Sequence, residues 1–382
     1  MRLIYLDNHA TTPCDPRVLE AMLPYFTEVF GNPSSALHRH GRRAAEALER
    51  ARGHVGNLIG AEPGEVIFTS GATESNNLAI LGAARGDQTG RKRILTTPIE
   101  HKAVLEPFRQ LEGQGYELVW LPVDSRGRAD AETARRLIND DTLLVSVQAA
   151  NNEIGTIQPV AEIAEVAHRH GAIVHCDATQ AVGKIPFDVG GWGVDLASLS
   201  AHKLYGPKGV GALYVSRRFR KGSLRPLVLG GGQEAGVRSG THNMPGIVGL
   251  GEACVIAGEA LAGEQARVSG MRDALEERLR SVIPNLQING DLGNRLPGNS
   301  SLSFTEVEAD ALILNLPDLA LSMGSACNSG TIEPSYVLTA IGMSRESANS
   351  TVRVGWGRFN TTGDIELAST QIIEAYLRLT SL

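Results

Sequence analysis

A chain of 382 residues, 42% hydrophobic and 20% charged, has the composition of a globular protein and is long enough for a large domain with a smaller companion. Its formal charge of −6 argues against a nucleic-acid or acidic-membrane surface as the main partner. Four cysteines, Cys14, Cys176, Cys254 and Cys327, show no CxxC spacing, which disfavours a disulfide framework or structural zinc and suits a reducing compartment.

The chain opens MRLIYLDNHATTP, without a basic segment followed by a cleavable apolar one. The apolar stretch 247–263 is interrupted by Glu252 and Glu259, so the expectation is a cytoplasmic protein with no membrane span. Helical periodicity covers 16–30 and stops at Gly31-Asn32-Pro33. A long amphipathic helix follows over Arg39–Ile59, with Ala44, Ala45, Leu48, Val55, Leu58 and Ile59 on its apolar side. From there strands and helices alternate. Candidate strands are Val66–Thr69, 94–97, 117–121, 142–148, Ile173–Asp177, Leu196–Ser200 and Gly211–Val215, with helices from Ser70-Gly71 to Leu81 and over 101–111, 130–138 and 160–170. That rhythm predicts a seven-stranded, mostly parallel α/β sheet with helices on both faces and ligands at the carboxyl ends of the strands. The basic run Arg217, Arg218, Arg220 and Lys221 reads as a solvated strand end. Beyond Gly230-Gly231-Gly232 a long helical region, 246–283, leads into short strands at 286–289, 301–304, 319–322 and 351–354 and helices at 309–315 and 366–379. This predicts a smaller α+β domain of about 120 residues.

Several strand ends carry chemistry. Ser70-Gly71-Ala72-Thr73-Glu74 stands between a strand and a helix, where free N–H groups and hydroxyls suit a phosphate; a plain strand–helix turn with a capping threonine is the alternative. The absence of GxxxxGK[ST], or of GxGxxG after a strand, removes support for a nucleoside triphosphate or dinucleotide. His101 opens a helix at the same edge and could stack on a ring, move protons or simply cap. Asn152 follows the next strand, as a ligand donor or ordinary loop residue. Asp177 ends an apolar strand, where a carboxylate needs a cation, a strong donor or a turn to cap; Gln180 is placed to reach a nearby phenolic oxygen. Cys176 faces away from Asp177 by strand alternation and reads as a buried structural thiol. Ser200, His202 and Lys203 close the strand Leu196–Ser200, and a lysine there serves either as a phosphate contact or as a Schiff-base amine. His168 and His170 lie about 200° apart on a helix and cannot converge on one ion, the pair His38/His40 at a loop-to-helix junction has no acidic or thiol partner nearby, and no metal is expected. Cys327 sits in the small-residue run Gly324–Gly330, where a thiol is either used or a liability. Hydroxyls for a phosphate, a carboxylate for a pyridinium, a ring to stack and a lysine together describe a pyridoxal-phosphate site.

Through LDNHATTP, FTSGATESNNLAI, EHKAVL, NNEIGTIQP, HCDATQAVGK, SAHKLYGPKGVGALYV, GGGQEAGVRSGT, GSACNSGTIEPSYVL and VRVGWGRF, the chain resembles the cysteine desulfurases. These are pyridoxal-phosphate enzymes of the class V aminotransferase group with the aspartate-aminotransferase-like fold (fold type I). The GSAC loop is similar to that of the housekeeping iron–sulfur type, and the short RxGHxC version is absent. The resemblance implies a large cofactor-binding domain over 16–258 and a small one from 1–15 with 259–382, carrying the cysteine loop. It implies that Lys203 holds pyridoxal 5′-phosphate covalently, Asp177 meets the pyridine nitrogen, Gln180 the phenolic oxygen, and His101 stacks on the ring and carries protons. Ala72, Thr73, Ser200 and His202 would hold the phosphate, joined by Thr241 from the other subunit of a homodimer. Asn152 and Arg353, helped by Asn32, would anchor the carboxylate of L-cysteine. Cys327 would be the nucleophile that takes the sulfur as a persulfide, leaving L-alanine, and would pass it to an acceptor such as an iron–sulfur scaffold protein. Ala201 and Asn328 stand where glycine and threonine are frequent in the family, without removing a needed group. A lyase or transaminase on the same scaffold, or a non-catalytic descendant, is the competing expectation.

Overall fold

The computed structural model describes residues 3–217, 223–323 and 334–381. A two-residue strand, β1 (Ile4–Tyr5), opens the chain. The helix expected over 16–30 is two pieces, α1 (Pro16–Met22) and α2 (Pro24–Thr27), because Pro24 has no amide hydrogen to continue the first ladder. α3 (Arg39–Ile59) has the predicted bounds: the His38 ring caps it by accepting from Gly41 N, and Gly60 ends it at φ 71°.

The next elements are β2 (Val66–Thr69), α4 (Ala72–Gly86), β3 (Arg93–Thr96), α5 (Lys102–Glu112), β4 (Glu117–Trp120), α6 (Ala131–Leu137), β5 (Thr142–Ser146), α7 (Val160–Arg169), β6 (Ile173–Asp177), β7 (Leu196–Ser200) and β8 (Gly211–Val215). They form one seven-stranded sheet in the order β2-β8-β7-β6-β5-β3-β4. β8 runs antiparallel to both neighbours, and every other pairing is parallel. The α/β architecture expected from the strand–helix rhythm is therefore the one observed. Near-continuous burial along β5, β7 and β8 explains their unbroken apolar and small-residue runs, since a sheet covered on both faces has no solvent side.

α8 (Met244–Arg280) then runs for 37 residues. Ile247, Leu250, Cys254 and Ile256 join the core beneath the large sheet, while Val268, Met271, Leu275 and Leu279 join a second core. Its length and hydropathy would suffice to cross a bilayer, yet half of its most apolar window is buried against protein. The second core is completed by β9 (Gln287–Ile288), β10 (Asn299–Ser303), α9 (Ala309–Leu314), β11 (Leu319–Ala320), β12 (Ser322–Met323), β13 (Thr351–Gly355) and α12 (Thr362–Thr380), with α10 (Tyr336–Ala340) and α11 (Arg345–Asn349) before β13. The strand expected over 319–322 is split: β11 pairs in parallel with β1, whereas β12 joins the antiparallel sheet β12-β13-β10-β9.

Candidate active site

Strand register brings the phosphate-type residues to one edge. Thr69 at the end of β2 lies opposite Gly211, and Gly211 lies opposite Ser200 at the end of β7. The chain leaving β2 can turn here only because Gly71 adopts φ 147° and Gly211 carries no side chain: a Cβ on Gly211 would stand 2.7 Å from Gly71 Cα. α4 starts at Ala72 with no side-chain cap, and no acceptor among the described residues meets the Ala72, Thr73 and Glu74 N–H groups. Free amides at the start of a 15-residue helix, with Ser200 Oγ 3.7 Å from the position of a Gly71 Cβ, form an anion cradle.

Asp177 ends β6 two places behind Ser200, since it pairs with Ser198. Its carboxylate is almost fully buried and accepts from Asn76 Nδ2 at 2.8 Å and Thr179 N at 3.0 Å, so it caps its turn as well. Among the described residues no cation forms an ion pair with it. A buried carboxylate held by amides alone is a site for a cationic nitrogen.

Lys203 follows β7 in a short 3₁₀ turn, Ala201–Lys203. Its Nζ donates to His9 O at 2.5 Å and Ala10 O at 2.6 Å. Desolvation, with Arg353 adding, pushes its pKa down to about 8 against the pull of Asp7 and Asp177. A lysine with that acidity is partly neutral near physiological pH, as a nucleophilic or basic amine must be. His202 Nδ1 meets Thr11 Oγ1 at 3.0 Å; desolvation and then Lys203, Lys208 and Lys184 push its pKa to about 4, so the ring is neutral. His101 caps α5, accepting from Ala103 N through Nδ1 at 3.1 Å, and the protein packed around its ring lowers its pKa. Gln180 faces His9 and Lys184: Oε1 accepts from Lys184 Nζ at 2.8 Å, and Nε2 donates to His9 O at 2.9 Å.

The small sheet supplies the opposite wall. Arg353 on β13 reaches Asp7 Oδ1 at 2.7 Å and Asn152 O at 3.2 Å, and its Nε is buried without a partner among the described residues. One cavity of about 790 Å³ is lined by Ala72, Thr73, His101, Asn152, Asp177, Gln180, Ser200, His202, Lys203 and Arg353 together with Asp7, His9 and Ser322. Pyridoxal 5′-phosphate fits this donor set: the amide cradle matches a phosphate, the unpaired Asp177 a protonated ring nitrogen, and Lys203 lies between them along the same edge.

The class V aminotransferase model matches residues 4–367 of the chain. Over 365 residues the chain is 50% identical to "Cysteine desulfurase IscS" of Anaeromyxobacter dehalogenans, covering 96% of this chain and 90% of that protein. It is 48% identical over 379 residues to "Cysteine desulfurase" of Mus musculus, covering 99% and 82%. Among solved structures, a NifS-like protein superposes with a TM-score of 0.91 at 39% identity over the whole of both chains.

The chain belongs to the class V aminotransferase family.

Two family-implied residues lie apart from this cavity. Asn32 is exposed, and its Oδ1 accepts from Ser34 N at 2.9 Å; Thr241 is exposed beyond the Gly230–Gly232 turn. Neither lines the cavity of its own chain. Cys327 lies outside the described residues, while Ser322 and Met323, on β12, line the cavity wall. Cys176 is wholly buried and its pKa is raised well above the usual thiol value, and burial pushes Cys254 up to about 12. Both are inert thiols.

Sequence reasoning missed Asp7, His9, Asn76 and Lys184. Asn76 had a readable signal, being a polar residue at helical spacing from Ala79, Ile80 and Ala83 on the buried face of α4. Asp7 and His9 gave none, because their partners Arg353 and Gln180 are 346 and 171 residues away.

Proposed function

We propose that this class V aminotransferase-family protein is a cysteine desulfurase converting L-cysteine to L-alanine and holding the released sulfur as a persulfide on Cys327. The observation that carries the reading is the convergence of Lys203, Asp177 and the uncapped start of α4 on one cavity walled by Arg353. It is supported by relatives named cysteine desulfurase at about 50% identity over nearly the whole chain.

Bound at Lys203, pyridoxal 5′-phosphate supplies the electron sink for chemistry at the substrate's α-carbon. The protein's part follows from its own groups. The amides of residues 72–74 and the Thr73, Ser200 and His202 side chains hold the phosphate, and Asp177 keeps a proton on the ring nitrogen. The Arg353 guanidinium, backed by Asp7 and Asn152 O, orients the substrate carboxylate. The Lys203 amine, with its pKa near 8, takes the α-proton of the substrate, and neutral His101 at the cavity mouth exchanges protons with the thiols. The Cys327 thiolate attacks the substrate sulfur; an S–S bond forms, the carbon–sulfur bond breaks, and the three-carbon remainder is protonated to L-alanine.

The finer parts of the reading are a homodimer in which Thr241 completes the partner's phosphate site, a cytoplasmic location, and sulfur delivery to an iron–sulfur scaffold protein. The exposed positions of Thr241 and Asn32 support the first. The domain division 16–258 against 1–15 with 259–382 is drawn on the two apolar cores, with its boundary inside α8. The test is incubation with L-cysteine. Stoichiometric alanine and a persulfide on Cys327 are expected, and Cys327→Ala should keep the bound cofactor's visible absorption while releasing almost no sulfur. Undiminished sulfur release by that variant would identify a lyase instead.

A further inference from the structure

Behind the cavity, Lys184 presents an unusual arrangement. Desolvation, with Lys203 and Arg353 adding, drives its pKa well below the usual lysine value. Among the described residues it forms no ion pair, and its Nζ has one hydrogen-bond partner, Gln180 Oε1 at 2.8 Å. Lys184 lines a neighbouring cavity with His9, Glu264 and Arg358, and none of their side chains accepts a hydrogen bond from its ammonium, which leaves that charge poorly compensated.

The contacts also fix which way the Gln180 amide faces. His9 O is a carbonyl and only accepts, so Gln180 Nε2 points at it, 2.9 Å away, which leaves Oε1 facing Lys184 Nζ at 2.8 Å and His9 Nδ1 at 3.2 Å. Gln180 Oε1 is thereby turned to Lys184, and reversing the amide would set an N–H against the ammonium. One Nε2 hydrogen is used on His9 O, and the other has no partner among the described residues. That free hydrogen belongs to an amide that lines the cavity and is polarised from behind by a cation.

We propose that Lys184 is a positioning residue that locks the Gln180 amide and, through it, directs positive charge toward the phenolic oxygen of the bound cofactor. This rests on the pyridoxal-phosphate reading above. An anionic oxygen in front of Gln180 would stand in line with the Lys184 ammonium across the amide. A cation behind the amide favours the more negative, deprotonated form of the bound cofactor, so its removal makes that form harder to reach.

The experiment is a pH titration of the visible absorption of the full-length protein loaded with pyridoxal 5′-phosphate. Lys184→Met should raise the midpoint by on the order of one pH unit, and Lys184→Gln should move it the same way. Gln180→Ala should also raise it, and Lys184→Met added to Gln180→Ala should change nothing further, because both act through one contact. Thermal unfolding without cofactor should leave Lys184→Met no less stable than the wild type, since it removes an unpaired interior cation. An unchanged midpoint in both Lys184 variants, or a shift that adds to that of Gln180→Ala, overturns the proposal. A wild-type protein that takes up no cofactor and shows no visible band overturns the reading beneath it, which separates the two failures.

Discussion

Asn76 Nδ2 donates to Asp177 Oδ2 at 2.8 Å from the buried face of α4, tying the helix that builds the anion cradle to the carboxylate that awaits the ring nitrogen. Among the described residues the other Asn76 atom, Oδ1, is buried without a hydrogen-bond partner. Asp177→Asn keeps the side chain's size but removes the charge, and leaves one acceptor oxygen for the two donors Asn76 Nδ2 and Thr179 N. We predict a loss of roughly 10²- to 10³-fold in kcat/KM for alanine formation with cofactor still bound, and about tenfold for Asn76→Ala. Steady-state assays with absorption spectra check both. Near-wild-type turnover by Asp177→Asn would remove Asp177 from the reaction.

Arg353 is held by Asp7 at 2.7 Å and by Asn152 O at 3.2 Å, which leaves a planar fork facing the cavity wall. Lysine cannot reproduce that fork. Arg353→Lys should raise KM for L-cysteine on the order of 10- to 100-fold with a smaller change in kcat, as expected when a ground-state carboxylate contact is lost. Arg353→Ala also removes a charge that lowers the Lys203 pKa, so the limb of the pH–rate profile set by Lys203 should move to higher pH. A pure kcat effect with an unmoved profile would place the substrate carboxylate elsewhere.

The legible parts of the fold were those whose signal is local. β6, β7 and β8 have the expected bounds because each is an apolar run closed by polar or glycine residues, and the same runs carry Asp177, Ser200 and Lys203 to one edge. The short pieces were not legible: β1, α10 and α11 span two to five residues, too few for any period to show. The split of 319–322 depends on which distant strand each half meets, Ile4–Tyr5 for one and Thr351–Gly355 for the other. Within the site, motif residues at strand ends could be named singly, whereas the Lys184–Gln180–His9 cluster exists only once the N-terminal segment folds over β6.

Gly211 is where the cradle depends on an absent side chain. A Cβ there would stand 2.5 Å from Leu199 O and 2.7 Å from Gly71 Cα, both backbone atoms that cannot rotate away. Gly211→Ala should cost about 1–3 kcal/mol of stability or more and weaken cofactor retention by displacing residues 70–73. Gly71→Ala meets no close backbone, its Cβ lying 3.7 Å from Ser200 Oγ, but forces alanine into φ 147°. It should therefore weaken cofactor binding more than it weakens the fold. Thermal unfolding without cofactor, alongside cofactor dissociation during dialysis, separates the two effects; equal loss of both in Gly71→Ala would contradict the assignment of Gly71 to the cradle.

Glu100 gives the pH dependence of stability a definite sign. It is fully buried, its Oε1 accepts from Thr97 Oγ1 at 2.8 Å and Gln148 N at 2.9 Å, and its Oε2 has no partner among the described residues. Desolvation, with Asp177 adding a little, raises its pKa to about 8. The folded protein thus keeps a proton that the unfolded chain releases at the ordinary carboxylate value near about 4.3. Between those two pH values the native state binds more protons, so this group's contribution is fully present at low pH and is lost as pH rises toward 8. Glu100→Gln retains the Oε1 acceptor and cannot ionise. Its thermal midpoint should match the wild type at about pH 5, exceed it increasingly toward pH 8, and keep a constant advantage above that, where Glu100 is ionised in both states. Parallel stability curves for the two proteins across that range would show that Glu100 ionises in the native state as readily as in the unfolded chain.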